Sequence, residues 1–203
     1  MKQYLGGTVI ALTLCGSLLH GAVARVEITS TAPVLIGKAF GRTGPYEILS
    51  GNIWFTADPK LSANRRIADI DYAPRNRAGL VEWSADFYAL VPVDLGKGNG
   101  TLLYEVPNRG PKTLLNFFNR VSGSISLHPR EPQHYGDGFL MEHGFSLFWM
   151  GWQWDVPAED DLLRFRAPFA QRRGTFVTGL VRSDFVPEER VTTIHLADRT
   201  HAL

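Results

Sequence analysis

Thr101–Val106 (TLLYEV) and Phe145–Trp152 (FSLFWMGW) decide how this chain is to be read. Both are short apolar runs without polar alternation, the form of a strand covered on both faces. Between them, Pro107-Asn108-Arg109-Gly110-Pro111 cannot be helical, having proline at both ends. Thr113–Val121 (TLLNFFNRV) then spaces Leu114, Leu115, Phe118 and Val121 as the apolar stripe of a short helix. Gly138–His143 (GFLMEH) reads as a second helical turn, closed by Gly144 where helices favour glycine. Strand, glycine-bearing loop, helix, glycine cap, strand is a crossover unit, and such units build parallel sheets covered by helices. The expectation is an α/β fold in which the two runs lie side by side and point the same way.

Upstream of Gly96–Gly100 (GKGNG) the pattern is strand-rich. Arg25–Ser30 alternates Val26 and Ile28 with polar neighbours, and Gly41–Pro45 is a turn by composition. Tyr46–Thr56 carries Tyr46, Ile48, Ile53 and Phe55 on a period of two that breaks at Ser50-Gly51, where glycine suggests a bulge. Ala68–Tyr72 reads as a short strand, and Val81–Val93 as a long one passing from surface to core. These segments predict a small antiparallel sheet. Downstream, Leu162–Ala167, Gly174–Phe185 and Arg190–Leu196 read as short strands, expected to pack as an accessory sheet against the first one and not as part of the parallel core. The resulting division is 1–24 as a leader, 25–98 as an antiparallel β region, 99–156 as the strand-helix-strand unit, and 157–203 as an accessory β insertion.

The leader reading rests on Lys2, an apolar stretch from Leu5 to Leu19, and Ala22-Val23-Ala24, small residues where a signal peptidase cuts. That stretch is shorter than the roughly 20 residues a spanning helix needs. Leu14 before Cys15 does not suit a lipid attachment site. Cleavage after Ala24 removes the one cysteine, so an exported chain must rely on core packing and not on disulfides. The 203 residues are 44% hydrophobic and 20% charged, values of an ordinary globular protein. A formal net charge of +1 gives no cationic field for nucleic acid or anionic lipid.

Several side-chain groups invite a functional reading. His128, His134, Asp137 and His143 offer metal ligands, but their spacing matches no compact zinc pattern. Asp69, Asp71 and Asp155 lack the glycine-bearing loop of a calcium site. The run Glu159-Asp160-Asp161 reads as a solvated turn, and Arg164 and Arg166 as the wet face of a strand. Trp149, Trp152 and Trp154 serve either as core or as an aromatic platform for a sugar or apolar ester. Strand alternation puts Trp152 and Trp154 on one face and Trp149 on the other. Asp155 follows the end of the second run, where α/β ligand crevices are found, so Trp152, Trp154 and Asp155 are rim candidates.

The phrases KAFGRTGPYE, DYAPRNRAGLVEWSADFYALVPVD, GNGTLLYEVPNRG, FLMEHGFSLFWMGWQWDVP and ERVTTIHLADRT together resemble a bacterial family known only as "alpha/beta hydrolase domain" proteins, which are exported and longer than this chain. The resemblance covers nearly all of residues 25–203. It implies the start of an α/β-hydrolase parallel core with an antiparallel accessory β-sheet, incomplete in this chain. In that fold a backbone N–H of the loop after the first core strand helps hold an oxyanion, and the matching positions are Asn108, Arg109 and Gly110. The plain alternative for these three is a tight turn.

No G-x-S-x-G nucleophile elbow occurs in the sequence. The nearest serine stretches, Val121–Ser126 (VSGSIS) and Gly144-Phe145-Ser146, lack the second glycine. The resemblance therefore implies an amino-terminal portion of an exported, periplasmic or extracellular hydrolase acting on a small ester-like compound, without a catalytic residue, cofactor or metal in this chain. A non-catalytic β-rich binding module for carbohydrate or an apolar ligand is the competing class.

Overall fold

The computed structural model describes residues 21–121, 129–156, 162–180 and 186–193. The leader up to residue 20, Ser122–Ser126, His128, Glu159-Asp160-Asp161, residues 181–185 of one expected strand and 194–196 of another lie outside the described residues, as does most of the ERVTTIHLADRT phrase. No described helix is long and apolar enough to cross a membrane.

β1 (Ala22–Pro33), β3 (Gly44–Ala57) and β4 (Val81–Pro92) pair antiparallel in that order, and β2 (Ala39–Phe40) pairs with the start of β3. The irregularity read at Ser50-Gly51 belongs to the partner: β1 shifts register between Ile28 and Ser30, facing Gly51 and Ser50. A Cβ on Gly51 would lie 1.9 Å from the Glu27 carbonyl oxygen, so only glycine lets the bulged strand come this close. β3 and β4 pair without a shift through this point. Alternation then places Tyr46 and Ile48 on one face and Ile53 and Phe55 on the other.

β5 (Leu102–Glu105) and β6 (Ser146–Met150) are parallel neighbours, from Leu102 opposite Ser146 to Glu105 opposite Trp149. On its other side β6 pairs antiparallel with β4. The sheet order is β1-β3-β4-β6-β5, with β7 (Phe165–Arg166) also antiparallel to β4. One face carries the core: Tyr46, Tyr88, Leu90, Leu147 and Trp149 pack under Leu114 and Leu115 of α1 (Leu114–Phe118), Leu140 and Met141 of α2 (Phe139–Glu142), and Val34 and Tyr135 from 3-10 turns. Tyr46 shares its one hydroxyl proton between the carbonyls of Met141, 3.1 Å, and Phe145, 3.0 Å. Buried Asn119 donates to Tyr135 O and accepts from Leu140 N. These bonds satisfy polar groups that would otherwise be costly to bury. A smaller cluster, Ala57, Ile70 and Val81, forms at the far end of the sheet.

The parallel pairing agrees with the reading of the two apolar runs, but the α/β class does not survive. The chain is mostly β: a seven-stranded mixed sheet, with two α-helices of 5 and 4 residues among the described residues. The apolar stripes of TLLNFFNRV and GFLMEH supply about one helical turn each, too little for a helical layer. The hydrolase-type parallel core with a separate accessory sheet is likewise corrected. Because β6 takes β4 as its second neighbour, antiparallel and parallel strands belong to one sheet.

Three finer expectations change as well. β5 is not covered on both faces: Leu103 turns to the core, whereas Leu102 is 58% and Tyr104 43% exposed. Ala68–Tyr72 is not a strand. Asp69 takes a left-handed φ of 56° and opens a 3-10 turn, Ile70–Tyr72, that buries Ile70 alone. Of the late strands, β7 is two residues long and joins the first sheet beside β4. β8 (Gln171–Arg172) and β9 (Thr175–Phe176) form their own hairpin, with Arg173 and Gly174 both at positive φ as a tight two-residue turn demands. No strand is assigned to 190–193.

Candidate functional site

Two parallel strands that end together deliver their following loops to the same end of the sheet. Here these are the loop after β5, Val106–Thr113, and the segment after β6, Gly151–Val156. Glu105 fixes the first. Its carboxylate accepts from the backbone N–H of Thr113, 3.0 Å, and Leu114, 2.7 Å, from the Thr113 hydroxyl and from the indole N–H of Trp149. It thereby caps α1, whose N-cap residue Thr113 makes no side-chain cap. The strand end, the helix start and the buried tryptophan are thus held by one anion.

The loops are then tied to each other. Arg109 has a left-handed φ of 61°, and Gly110 follows at 92°. The Arg109 N–H donates to the Gln153 side-chain oxygen at 2.5 Å. Its guanidinium donates to the Asp155 carboxylate at 2.6 Å and to the Asp155 carbonyl at 2.8 Å. Trp152 Nε1 donates to Pro107 O at 2.7 Å. A third segment crosses both loops: Leu163 N donates to Gly110 O at 3.1 Å and Phe165 N to Gln153 O at 3.0 Å. Gly110 and Gly151 make the crossing possible, since a Cβ would stand 2.8 Å from Leu163 main-chain atoms in the first case and 2.5 Å from those of Arg164 in the second.

All six residues singled out in the sequence lie on these two loops, and Arg109 meets Asp155 directly. Of the three oxyanion-loop candidates, Asn108 is exposed, Arg109 has its N–H on Gln153, and Gly110 is buried beneath Leu163. β6 ends at Met150, so strand alternation does not extend to Trp152 and Trp154. Trp149 is fully buried, while Trp152 and Trp154 remain 49% and 58% exposed. The remaining groups do other work. His134 Nδ1 accepts from the backbone of Arg130 and Glu131, His143 stacks on Phe139, and Asp137 Oδ1 accepts from Phe139 N. Among the described residues no three His, Cys, Asp or Glu side chains come together as metal ligands. Arg166 is exposed, as a wet-face residue should be, and from there it forks onto Asp86 at 2.5 and 3.0 Å, while Asp86 also accepts from Arg164 N.

Sequence reasoning missed Glu105, Leu163 and Lys112. Lys112 is 1% exposed, its ammonium 5.1 Å from the Tyr88 ring centre, a cation–π contact inside the core. Nearby Tyr135 is pushed up to about 12 by burial, opposed by a hydrogen bond with Tyr88, and burial alone lifts Tyr46 to about 12. Both phenols stay neutral throughout the physiological range. A charged residue inside an apolar run was the one available signal: Glu105 in TLLYEV, half-buried, is accommodated there by its hydrogen bonds.

No family model, curated protein or solved structure matches the chain. What the arrangement offers chemically must be read from these two loops.

Proposed function

We propose that this chain builds the ligand-facing end of an exported acyl-ester hydrolase whose reactive serine lies on polypeptide beyond Leu203. The observation that carries the reading is the cross-linked pair of loops at the carboxyl ends of parallel β5 and β6, joined by Arg109 and Asp155. Loops positioned by a rigid sheet commonly carry the residues that contact a ligand.

In this reading the serine oxygen adds to the acyl carbon, and the carbonyl electron pair moves to oxygen. Collapse restores the carbonyl and expels the alcohol, which takes the proton the serine gave up; water then releases the acid. The chain's part is electrostatic. The Arg109 N–H donates to Gln153 Oε1, and in this reading the oxyanion displaces that amide oxygen and takes over the donor. Asn108 supplies a second donor from the exposed edge of the loop. No cofactor or metal is invoked.

The test is a longer polypeptide that includes this chain, treated with a fluorophosphonate probe and assayed on p-nitrophenyl esters. Labelling of a serine outside residues 1–203, with turnover reduced about 100-fold by Asn108→Ala, which removes one of the two donors from an exposed position, is the expected result. Absence of labelling, or full turnover in Asn108→Ala, refutes the proposal.

A further inference from the structure

The net charge of +1 averages over an uneven distribution. Residues 162–180 carry four arginines, Arg164, Arg166, Arg172 and Arg173, and no aspartate or glutamate. The first two belong to the sheet, where Asp86 accepts from the Arg164 N–H and from the Arg166 guanidinium. Arg172 and Arg173 sit on the β8–β9 hairpin, in a stretch, 171–180, that is exposed throughout. An open concavity of about 500 Å³ beside them is lined by Arg172, Arg173, Thr175, Phe176, Val177 and Thr178, with no acidic group.

The register of the hairpin fixes which way its two faces point. Arg172 lies opposite Thr175 and Gln171 opposite Phe176, so alternation puts Arg172 and Phe176 on different faces. The Arg172 guanidinium is 5.8 Å from the Tyr72 ring centre, which makes its face the one turned to the body of the protein. Phe176 is on the other face. There it meets Phe169 edge-on, ring centres 5.7 Å apart, and the bond from Val177 N to Ala170 O, 2.9 Å, holds the two segments in step. The two rings are nevertheless 67% and 60% exposed. Tyr72 in turn belongs to a second basic segment: residues 60–77 hold Lys60, Arg65, Arg66, Arg75 and Arg77 against Asp69 and Asp71. The Arg172–Tyr72 contact joins the two segments and gathers positive charge around an outward aromatic pair.

That combination selects among polyanions. An acidic polypeptide would neutralise the arginines but leave two phenylalanine rings in water. A nucleic-acid strand needs ring faces for successive bases, and the edge-on packing covers one ring face with the other ring. An anionic bilayer takes both features, cations at its headgroups and rings at the boundary beneath them.

We infer that the β8–β9 hairpin docks this chain on an anionic phospholipid surface. Phe169 and Phe176 enter the boundary between headgroups and acyl chains. Arg173 and the hydroxyls of Thr175 and Thr178 donate to a headgroup phosphate, while Arg172 holds the hairpin on Tyr72. The attachment is peripheral and does not rest on the acyl-ester reading.

The experiment sediments the full chain with vesicles of phosphatidylcholine alone or with about 30% phosphatidylglycerol. Partition onto the anionic vesicles is expected to be at least about tenfold stronger, and to fall towards the neutral level when salt rises from about 0.1 M to about 1 M. Phe169→Ser combined with Phe176→Ser weakens it about tenfold or more, and Arg173→Gln about fivefold. All three side chains are exposed, and circular dichroism checks that the variants fold. No preference for the anionic vesicles overturns the inference. So does a folded double variant that partitions like the parent, since another segment, Leu5–Leu19 among them, then carries the binding. Tighter binding to polyglutamate or to single-stranded DNA than to the anionic vesicles overturns it as well.

Discussion

Replacing Gly110 by alanine puts a methyl carbon 2.8 Å from the amide nitrogen and the carbonyl oxygen of Leu163, and 3.1 Å from the Leu162 Cβ. Two costs follow. The left-handed backbone, φ 92°, disfavours any side chain by about 1 kcal/mol. The Leu162–Leu163 segment must also retreat, losing the 3.1 Å bond from Leu163 N to Gly110 O at about 1 kcal/mol and its packing against the loop at about 1 to 2 kcal/mol more. The sum is about 3 to 4 kcal/mol. Gly79 is the control. It has a φ of 79° but no atom within 4 Å of the position a Cβ would take, so Gly79→Ala carries the backbone term alone, about 1 kcal/mol. Urea unfolding followed by tryptophan fluorescence separates the two. With a slope of about 2 kcal/mol per molar, Gly110→Ala lowers the midpoint by about 1.5 to 2 M and Gly79→Ala by about 0.5 M. Equal shifts in the two variants would refute the view that the 162–165 segment clamps the loop after β5.

Three further outcomes are expected. Glu105→Gln replaces an acceptor of four donors by a group that itself donates, and the loss of charge-assisted bonds lowers the melting temperature by about 8 °C, for a cost of about 3 kcal/mol; a melting curve unchanged from the parent contradicts the capping role. A double-mutant cycle on Arg109→Ala and Asp155→Asn gives a coupling of about 1 kcal/mol, the carboxylate being partly exposed, and the coupling shrinks in 1 M salt, used here as a roughly 3 Å screening length; additive effects deny the link between the loops. Tyr46 and Tyr135 ionise near 12 when folded but near 10 when unfolded, so their contribution to stability is fully present below pH 10 and is lost as pH rises from there towards 12. The slope is about 1.4 kcal/mol per pH unit for each tyrosine, and Tyr46→Phe should remove its share; a parent and variant that lose urea resistance in parallel above pH 10 would show that Tyr46 plays no part.

Much of the β architecture was legible. Unbroken apolar runs marked β5 and β6, alternation marked β1 and β3, and the passage from alternating to continuous apolar residues marked β4. Gly144 closes α2 as its position suggests, at a φ of 77°. The fold class was misread for a physical reason. A pattern of apolar residues at helical spacing reports which way a turn would face, not how many turns the chain will build, and here α1 and α2 stop after 5 and 4 residues. The same limit affected Ala68–Tyr72, whose alternation is real but whose Asp69 turns left-handed. The candidate residues were picked singly, Arg109 by resemblance and Asp155 by its place after a strand. Nothing in the sequence joined positions 46 apart.

By itself the sequence determined which segments are extended, where glycine and proline interrupt them, and which two strands start and finish a crossover, because propensity and periodicity act over a few neighbouring residues. Only the tertiary structure decided that β4 lies against β6, that Leu163 crosses Gly110, and that Arg109 reaches Asp155 while Trp152 and Trp154 stay in water. Those outcomes depend on which surfaces meet across tens of residues of chain, where burial and hydrogen-bond satisfaction are settled for the whole sheet at once.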